Sequence, residues 1–152
     1  MDLRDTKGTG RQESTRLAAV ADARYFMRRA FRIIDEEARR AGVDPLECQA
    51  LVQLMGAPDR TLSVTQLSSR LDVPRPLVSR LAKTLDERKL ARRSRSASDA
   101  RVTLVAATET GAALVTGVDA AVQPRFRALQ EEFPEHVRRQ ALGIWADNFG
   151  VG

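Results

Sequence analysis

The sequence predicts a mainly α fold with a small β component (α+β): long helices at both ends and, between them, a helix, a short turn, a second helix and a two-stranded hairpin. Three observations predict it. Ser63 and Gln66 stand at capping-box spacing ahead of an apolar stripe. A second, two-faced helix begins directly after Pro74. Two short runs of alternating polarity then enclose the polar turn Ser96-Ala97-Ser98-Asp99.

In chain order, residues 1–14 are polar, contain Gly8 and Gly10 and lack periodicity, which predicts a disordered arm. From Thr15 to Arg40, Leu17, Val20, Met27, Phe31, Ile34 and Ala38 trace a helical stripe. At 1.5 Å per residue that helix is about 40 Å long, more than a chain of this size buries alone, so part of it is expected to pack on a second subunit. Gly42 supplies a stop. Asp44 and Pro45 open the next helix as N-cap and first-turn residue, and it runs to about Gly56. Cys48 lies on it, to be weighed as a small packed residue against a redox sensor. The Ser63 helix buries Val64, Leu67 and Leu71 and ends at Asp72-Val73-Pro74, since the residue before proline is pushed out of the α region.

The helix from about Arg75 to Arg88 is the most informative element. With Arg75 at zero and about 100° per residue, Leu77, Val78, Leu81 and Leu85 fall within roughly 200–300°, and Arg75, Pro76, Ser79, Arg80, Lys83 and Asp86 within about 0–140°. One side suits packing and the other faces solvent with cations. After the hairpin (about Leu90–Arg95 and Arg101–Ala106, with Val102, Leu104 and Ala106 on its inner side), Thr108 caps a helix through Leu114, Val118 and Val122. Pro124 predicts a kink, with resumption through Phe126 and Leu129. Pro134 opens a last helix through Val137, Ala141, Leu142, Trp145 and Phe149.

Composition narrows the class. The 152 residues suffice for one domain with a real core. The net charge of +5 is modest, yet residues 70–101 hold ten Lys or Arg against four acids, so the rest of the chain sums to −1. A field concentrated in this way is the footprint of a nucleic-acid surface. No apolar run reaches membrane-spanning length and no secretory signal core is present, so the expectation is a soluble cytoplasmic protein. One Cys excludes a disulfide framework and a cysteine-rich metal site. His136 has no nucleophile or carboxylate at motif spacing, and no phosphate-cradling glycine loop occurs, so neither catalysis nor a cofactor is expected.

The run Leu67-Ser68-Ser69-Arg70-Leu71-Asp72-Val73-Pro74-Arg75-Pro76-Leu77-Val78-Ser79-Arg80-Leu81, with Leu85-Asp86-Glu87-Arg88 and Leu90-Ala91-Arg92-Arg93, resembles the winged helix-turn-helix of the MarR family of bacterial transcriptional regulators. Asp99-Ala100-Arg101-Val102-Thr103-Leu104, with Thr108 and Gly111 behind it, is similar to that family's wing. The resemblance implies a single domain over 15–152, with the winged helix-turn-helix at about 44–106 and long dimerisation helices at about 15–41 and 108–149. It departs at three places. Lys89 replaces the usual glycine after the second helix, Pro74 the usual Ser or Thr cap, and Ala100 the usual wing arginine.

On this reading the chain is a homodimer that binds double-stranded DNA at an imperfect palindrome. Arg75, Pro76, Ser79, Arg80 and Lys83 read the major groove, Arg95 and Arg101 meet phosphates or the minor groove, and Asp99 orients Arg101. The resemblance also admits a small aromatic or anionic effector, for which Arg24, Tyr25, Arg28, Phe31 and Arg32 are candidates; the plainer reading divides them between a core stripe and a solvated face. A winged helix used for protein contact is the competing function, and it requires an exposed apolar patch on the second helix or wing.

Overall fold

Three helix starts explain most of the local order. Asp44 accepts from the Leu46 N–H at 2.9 Å while Glu47 accepts from the Asp44 N–H, which starts α2 (Pro45–Met55). Ser63 and Gln66 make the reciprocal pair expected of them, at 3.1 and 2.9 Å, and start α3 (Val64–Leu71). Pro76 sits in the first turn of α4 (Arg75–Glu87), where a missing N–H costs nothing. These elements are seen in a computed structural model that describes residues 5–139 and Gly143. The chain also contains α1 (Asp5–Arg40), a single 3-10 turn (Pro58–Arg60), β1 (Thr61–Ser63), β2 (Ala91–Arg95), β3 (Thr103–Ala107) and α5 (Glu109–Glu132), and residues 135–139 are again helical.

The molecule divides into two compact units. Residues 34–122 form one. Leu51, Leu54, Leu67, Val78, Leu85 and Val105 are wholly buried in it. Each such side chain contributes about 1.5–3 kcal/mol relative to leaving it in water, and together they fix α2, α3, α4 and the sheet as one body. The sheet is antiparallel in the order β1-β3-β2, with Ser63 opposite Leu104 and Arg95 opposite Thr103. Residues up to 33 and from 123 onward form the other unit. There Phe133 meets Phe26 edge-on at 5.2 Å and Tyr25 at 5.7 Å, and Arg29 binds Glu132 at 3.0 Å.

Several expectations are corrected. Helix α1 starts at Asp5 and not Thr15, so the described part of the arm over 1–14 is helical; the Thr15 hydroxyl donates to the Arg11 carbonyl at 2.9 Å within it. The α1 stripe is covered only in part: Ala38 is buried and Val20, Met27 and Ile34 are half-buried, but Leu17 and Phe31 are about 60% exposed, and Ala23 and Ile33 are buried beside the stripe. In the hairpin the wholly buried residue is Val105, while Val102, Leu104 and Ala106 are half-buried and Val102 precedes β3. Every residue of β3 is buried or half-buried, so both its faces are at least partly covered and its inside–outside alternation is weak. β1 was not foreseen, because three residues are too few to show a period. By contrast, α5 resumes past Pro124 through Phe126 and Leu129, as expected. Ala141, Leu142, Trp145 and Phe149 lie outside the described residues.

Candidate nucleic-acid interface

The turn into α4 is tight and built from side-chain chemistry. Asp72 takes a left-handed conformation (φ 54°), and the Ser68 hydroxyl donates to the Val73 carbonyl at 2.6 Å, which closes the turn from α3. Pro74 provides no side-chain cap, but its carbonyl accepts from the Leu77 N–H at 3.0 Å and the Val78 N–H at 3.3 Å, and Pro76 has no N–H, so only the Arg75 N–H is left over in the first turn of α4. From there the helix divides as its sequence predicts. Val78, Leu81, Ala82 and Leu85 are buried, whereas Arg75, Pro76, Ser79, Arg80 and Lys83 are all exposed.

Among the described residues, Arg75 and Arg80 have no acidic partner, and Lys83 touches Glu87 only at 3.9 Å. Their charge therefore remains available to an external anion. In the wing, Asp99 accepts from the Arg101 backbone N–H at 3.0 Å and from its guanidinium at 3.1 Å through each carboxylate oxygen. These bonds hold the Asp99 carboxyl below the ordinary carboxylate range. Arg95 donates to the Ala100 carbonyl at 3.0 Å across the same loop. The eight residues singled out in the sequence thus all lie on α4 or the wing of a single unit.

The C-terminal end of α4 is held just as firmly. Lys89 adopts φ 61°, the left-handed turn that a glycine makes without strain. The Thr108 hydroxyl donates to the Lys89 carbonyl at 2.6 Å and accepts from the Gly111 N–H at 3.1 Å, joining the end of α4 to the start of α5. A Cβ at Gly111 would lie 2.0 Å from the Leu90 carbonyl oxygen. Only glycine fits there.

Charge counting from sequence overstates this surface. Arg88 turns away from it to bind Glu47 at 2.8 Å and the Gly42 carbonyl at 2.7 Å, Arg93 reaches Asp86 at 3.4 Å, and Arg70 bonds Gln53 at 2.9 Å. Partners 41 positions apart, as in Arg88 and Glu47, leave no local signal in the sequence. Conversely Arg92, not singled out earlier, is exposed on β2 with no internal partner. Cys48 is 1% exposed, and burial first, then the charge of Asp35, pushes its thiol up, the opposite of what a reactive thiolate needs. Arg24, Tyr25, Arg28, Phe31 and Arg32 are all on the exposed side of α1, with Tyr25 engaged by Phe133 and Arg29.

Residues 41–102, which span α2 through the wing turn, match the MarR family. That match spans 62 of the 152 residues. No curated protein matches the chain. The MarR-type fold extends beyond the segment. Sco3205, a MarR family transcriptional regulator from Streptomyces coelicolor crystallised with DNA, aligns at TM-score 0.71 and 19% identity over 91% of this chain and 86% of its own. Wild-type MarR from E. coli in its apo form aligns at 0.70 and 16% over 83% and 92%. AbsC, a MarR family transcriptional regulator from Streptomyces coelicolor, aligns at 0.66 and 17% over 100% and 99%. At these identities the likeness is one of fold.

Proposed function

We propose that the chain is a dimeric, sequence-specific DNA-binding transcriptional regulator of MarR type, acting in the cytoplasm and without catalysis. The observation that carries this reading is the outer face of α4, where Arg75, Ser79, Arg80 and Lys83 are exposed and the two arginines have no acid to neutralise them. An exposed arginine fork bonds guanine O6 and N7 in the major groove, and a serine hydroxyl bonds a base edge or a phosphate. At the start of α4 the Arg75 N–H alone is left to a phosphate oxygen, because Pro76 has none and the Leu77 and Val78 N–H groups donate to the Pro74 carbonyl. Arg92, Arg95 and Arg101 on the wing suit the flanking backbone or an A·T-rich minor groove. A carboxylate beside phosphates is repelled, so Asp99 acts by aiming Arg101.

Two such helices related by a two-fold axis enter successive major grooves roughly 34 Å apart, which calls for half-sites about 10 bp apart. That Sco3205 was crystallised with DNA favours the same use here. The protein-contact alternative needs an apolar patch on α4 or the wing. The large exposed hydrophobic residues among the described ones, Leu17, Tyr25, Phe31 and Val52, lie on α1 and α2. Selection of bound sites from random duplex DNA tests the reading. The expected result is an enriched imperfect palindrome; retention of all sequences equally at every salt concentration would overturn it.

A further inference from the structure

The wing tip carries more chemistry than DNA contact uses. Ser98 is exposed in the loop between β2 and β3, outside the hydrogen-bonded ladder, and Arg95 lies three residues before it. Arg92 and Arg93 precede these on the same strand, so the run Arg92-Arg93-Ser94-Arg95-Ser96-Ala97-Ser98 places hydroxyls directly downstream of guanidinium groups. The three serines are not equivalent. Ser94 belongs to β2, opposite Leu104. Ser96 is half-buried, its N–H donates to the Val102 carbonyl at 2.9 Å, and its hydroxyl accepts from the Ser98 N–H at 3.3 Å. The Ser98 hydroxyl touches only the Ser96 hydroxyl, at 3.0 Å.

We propose that Ser98 is a phosphoacceptor for an arginine-directed serine kinase, and that its phosphorylation releases the wing from DNA. The free loop bends at Ala97 and Ser98, so a kinase takes this exposed segment opened into an extended strand, in which about 3.3 Å per residue sets Arg95 about 10 Å upstream of the acceptor. The Ser98 Oγ attacks the γ-phosphorus of a nucleoside triphosphate. The bond to the β–γ bridging oxygen breaks, the nucleoside diphosphate leaves, and the hydroxyl proton passes to the kinase's base. The product adds about −1.5 to −2 charge and three acceptor oxygens beside Arg95 and Arg101. Those oxygens compete within the wing for the guanidinium groups that would otherwise meet DNA phosphates, and they repel the duplex itself.

The acceptor chemistry stands on the wing alone; the release of DNA rests on the function proposed above. The full chain is incubated with a purified arginine-directed serine kinase, ATP and Mg2+, the phosphate is located by peptide mass spectrometry, and binding to a selected duplex is then measured. Phosphate is expected on Ser98, lost in Ser98→Ala and incorporated more slowly in Arg95→Ala. Affinity should fall about tenfold or more, with the difference shrinking as salt rises. Unmodified Ser98→Ala should bind DNA as the natural chain does; a several-fold loss would mark Ser98 as a DNA contact and overturn the proposal. Phosphate only on other residues, or none, would also overturn it. Phosphate on Ser98 with unchanged DNA affinity would overturn the switch. A chain that accepts phosphate on Ser98 yet binds no duplex before modification would overturn the regulator reading and leave the acceptor site standing.

Discussion

Arg80 and Arg95 are both exposed arginines on the same unit, but they should do different work. Arg80 projects from the middle of α4 with no internal partner, so its fork can satisfy one base edge. Arg80→Ala should cost about 1–3 kcal/mol on the selected site, relax preference at one base position and leave random DNA nearly unaffected. Arg95 already spends a donor on the Ala100 carbonyl, and its proposed role is to meet the DNA backbone; Arg95→Ala should then weaken all sequences alike and reduce the salt slope by about one. Equilibrium binding on specific and random duplexes over a salt series separates the two, and equal losses on both duplexes for both variants would refute this division. Asp99 supplies a third residue-scale outcome. Its carboxyl is lowered by the Arg101 side-chain bonds first and the backbone bond second. A depressed carboxyl favours the folded wing fully above the unfolded value of about 3.9, and loses that contribution as pH falls through the folded value. The brace is therefore intact at neutral pH. Carboxyl NMR titration should find Asp99 below its usual value, and Arg101→Ala should move it back up.

At the scale of elements, the exit from α4 decides how firmly the reading helix is held. Lys89 carries a left-handed backbone that costs a non-glycine residue about 1–2 kcal/mol, so Lys89→Gly should raise stability by about 1 kcal/mol. Gly111→Ala should do the reverse and cost about 3 kcal/mol or more, because the Leu90 carbonyl that its Cβ would strike is backbone and cannot rotate aside. Urea denaturation of both variants checks the pair of signs. The Ser63–Gln66 capping box and the Asp44 N-cap were legible in the sequence, because each rests on residues within a few positions of one another, and the left-handed turn at Lys89 followed from the resemblance, where a glycine is usual. So was the division of α4 into faces, where thirteen residues give the period room to show. What the sequence hid was set by distant partners: β1 exists because β3 pairs with it, and Arg88 leaves the cationic surface because Glu47 and the Gly42 carbonyl receive it. Over α1 the predicted stripe is covered only in part: Ala38 is buried and Val20, Met27 and Ile34 are half-buried, whereas Leu17 and Phe31 stay exposed and Ala23, Ile33 and Glu37 are buried outside it.

For the whole molecule the proposed two-fold does most of the discriminating. One α4 face offers a few base contacts, whereas two linked faces act together because binding of the first raises the effective concentration of the second. The dimer therefore has to be held by surface that a lone chain leaves wet. Leu17 and Phe31 are 59% and 61% exposed on α1, and fourteen positions of helix bring them to within about 40° of the same face. Burying such side chains against a partner contributes roughly 1.5–3 kcal/mol each per subunit, while a carboxylate at either position would have to be desolvated or exclude the partner. Leu17→Glu combined with Phe31→Glu should give a folded monomer by sedimentation and circular dichroism. Its affinity for the full palindrome should fall to that for a single half-site, with weak, salt-sensitive binding to random DNA retained. If the double variant sediments as a dimer and still prefers the palindrome, α1 is not the surface that joins the subunits, and the two-fold must be built from other residues.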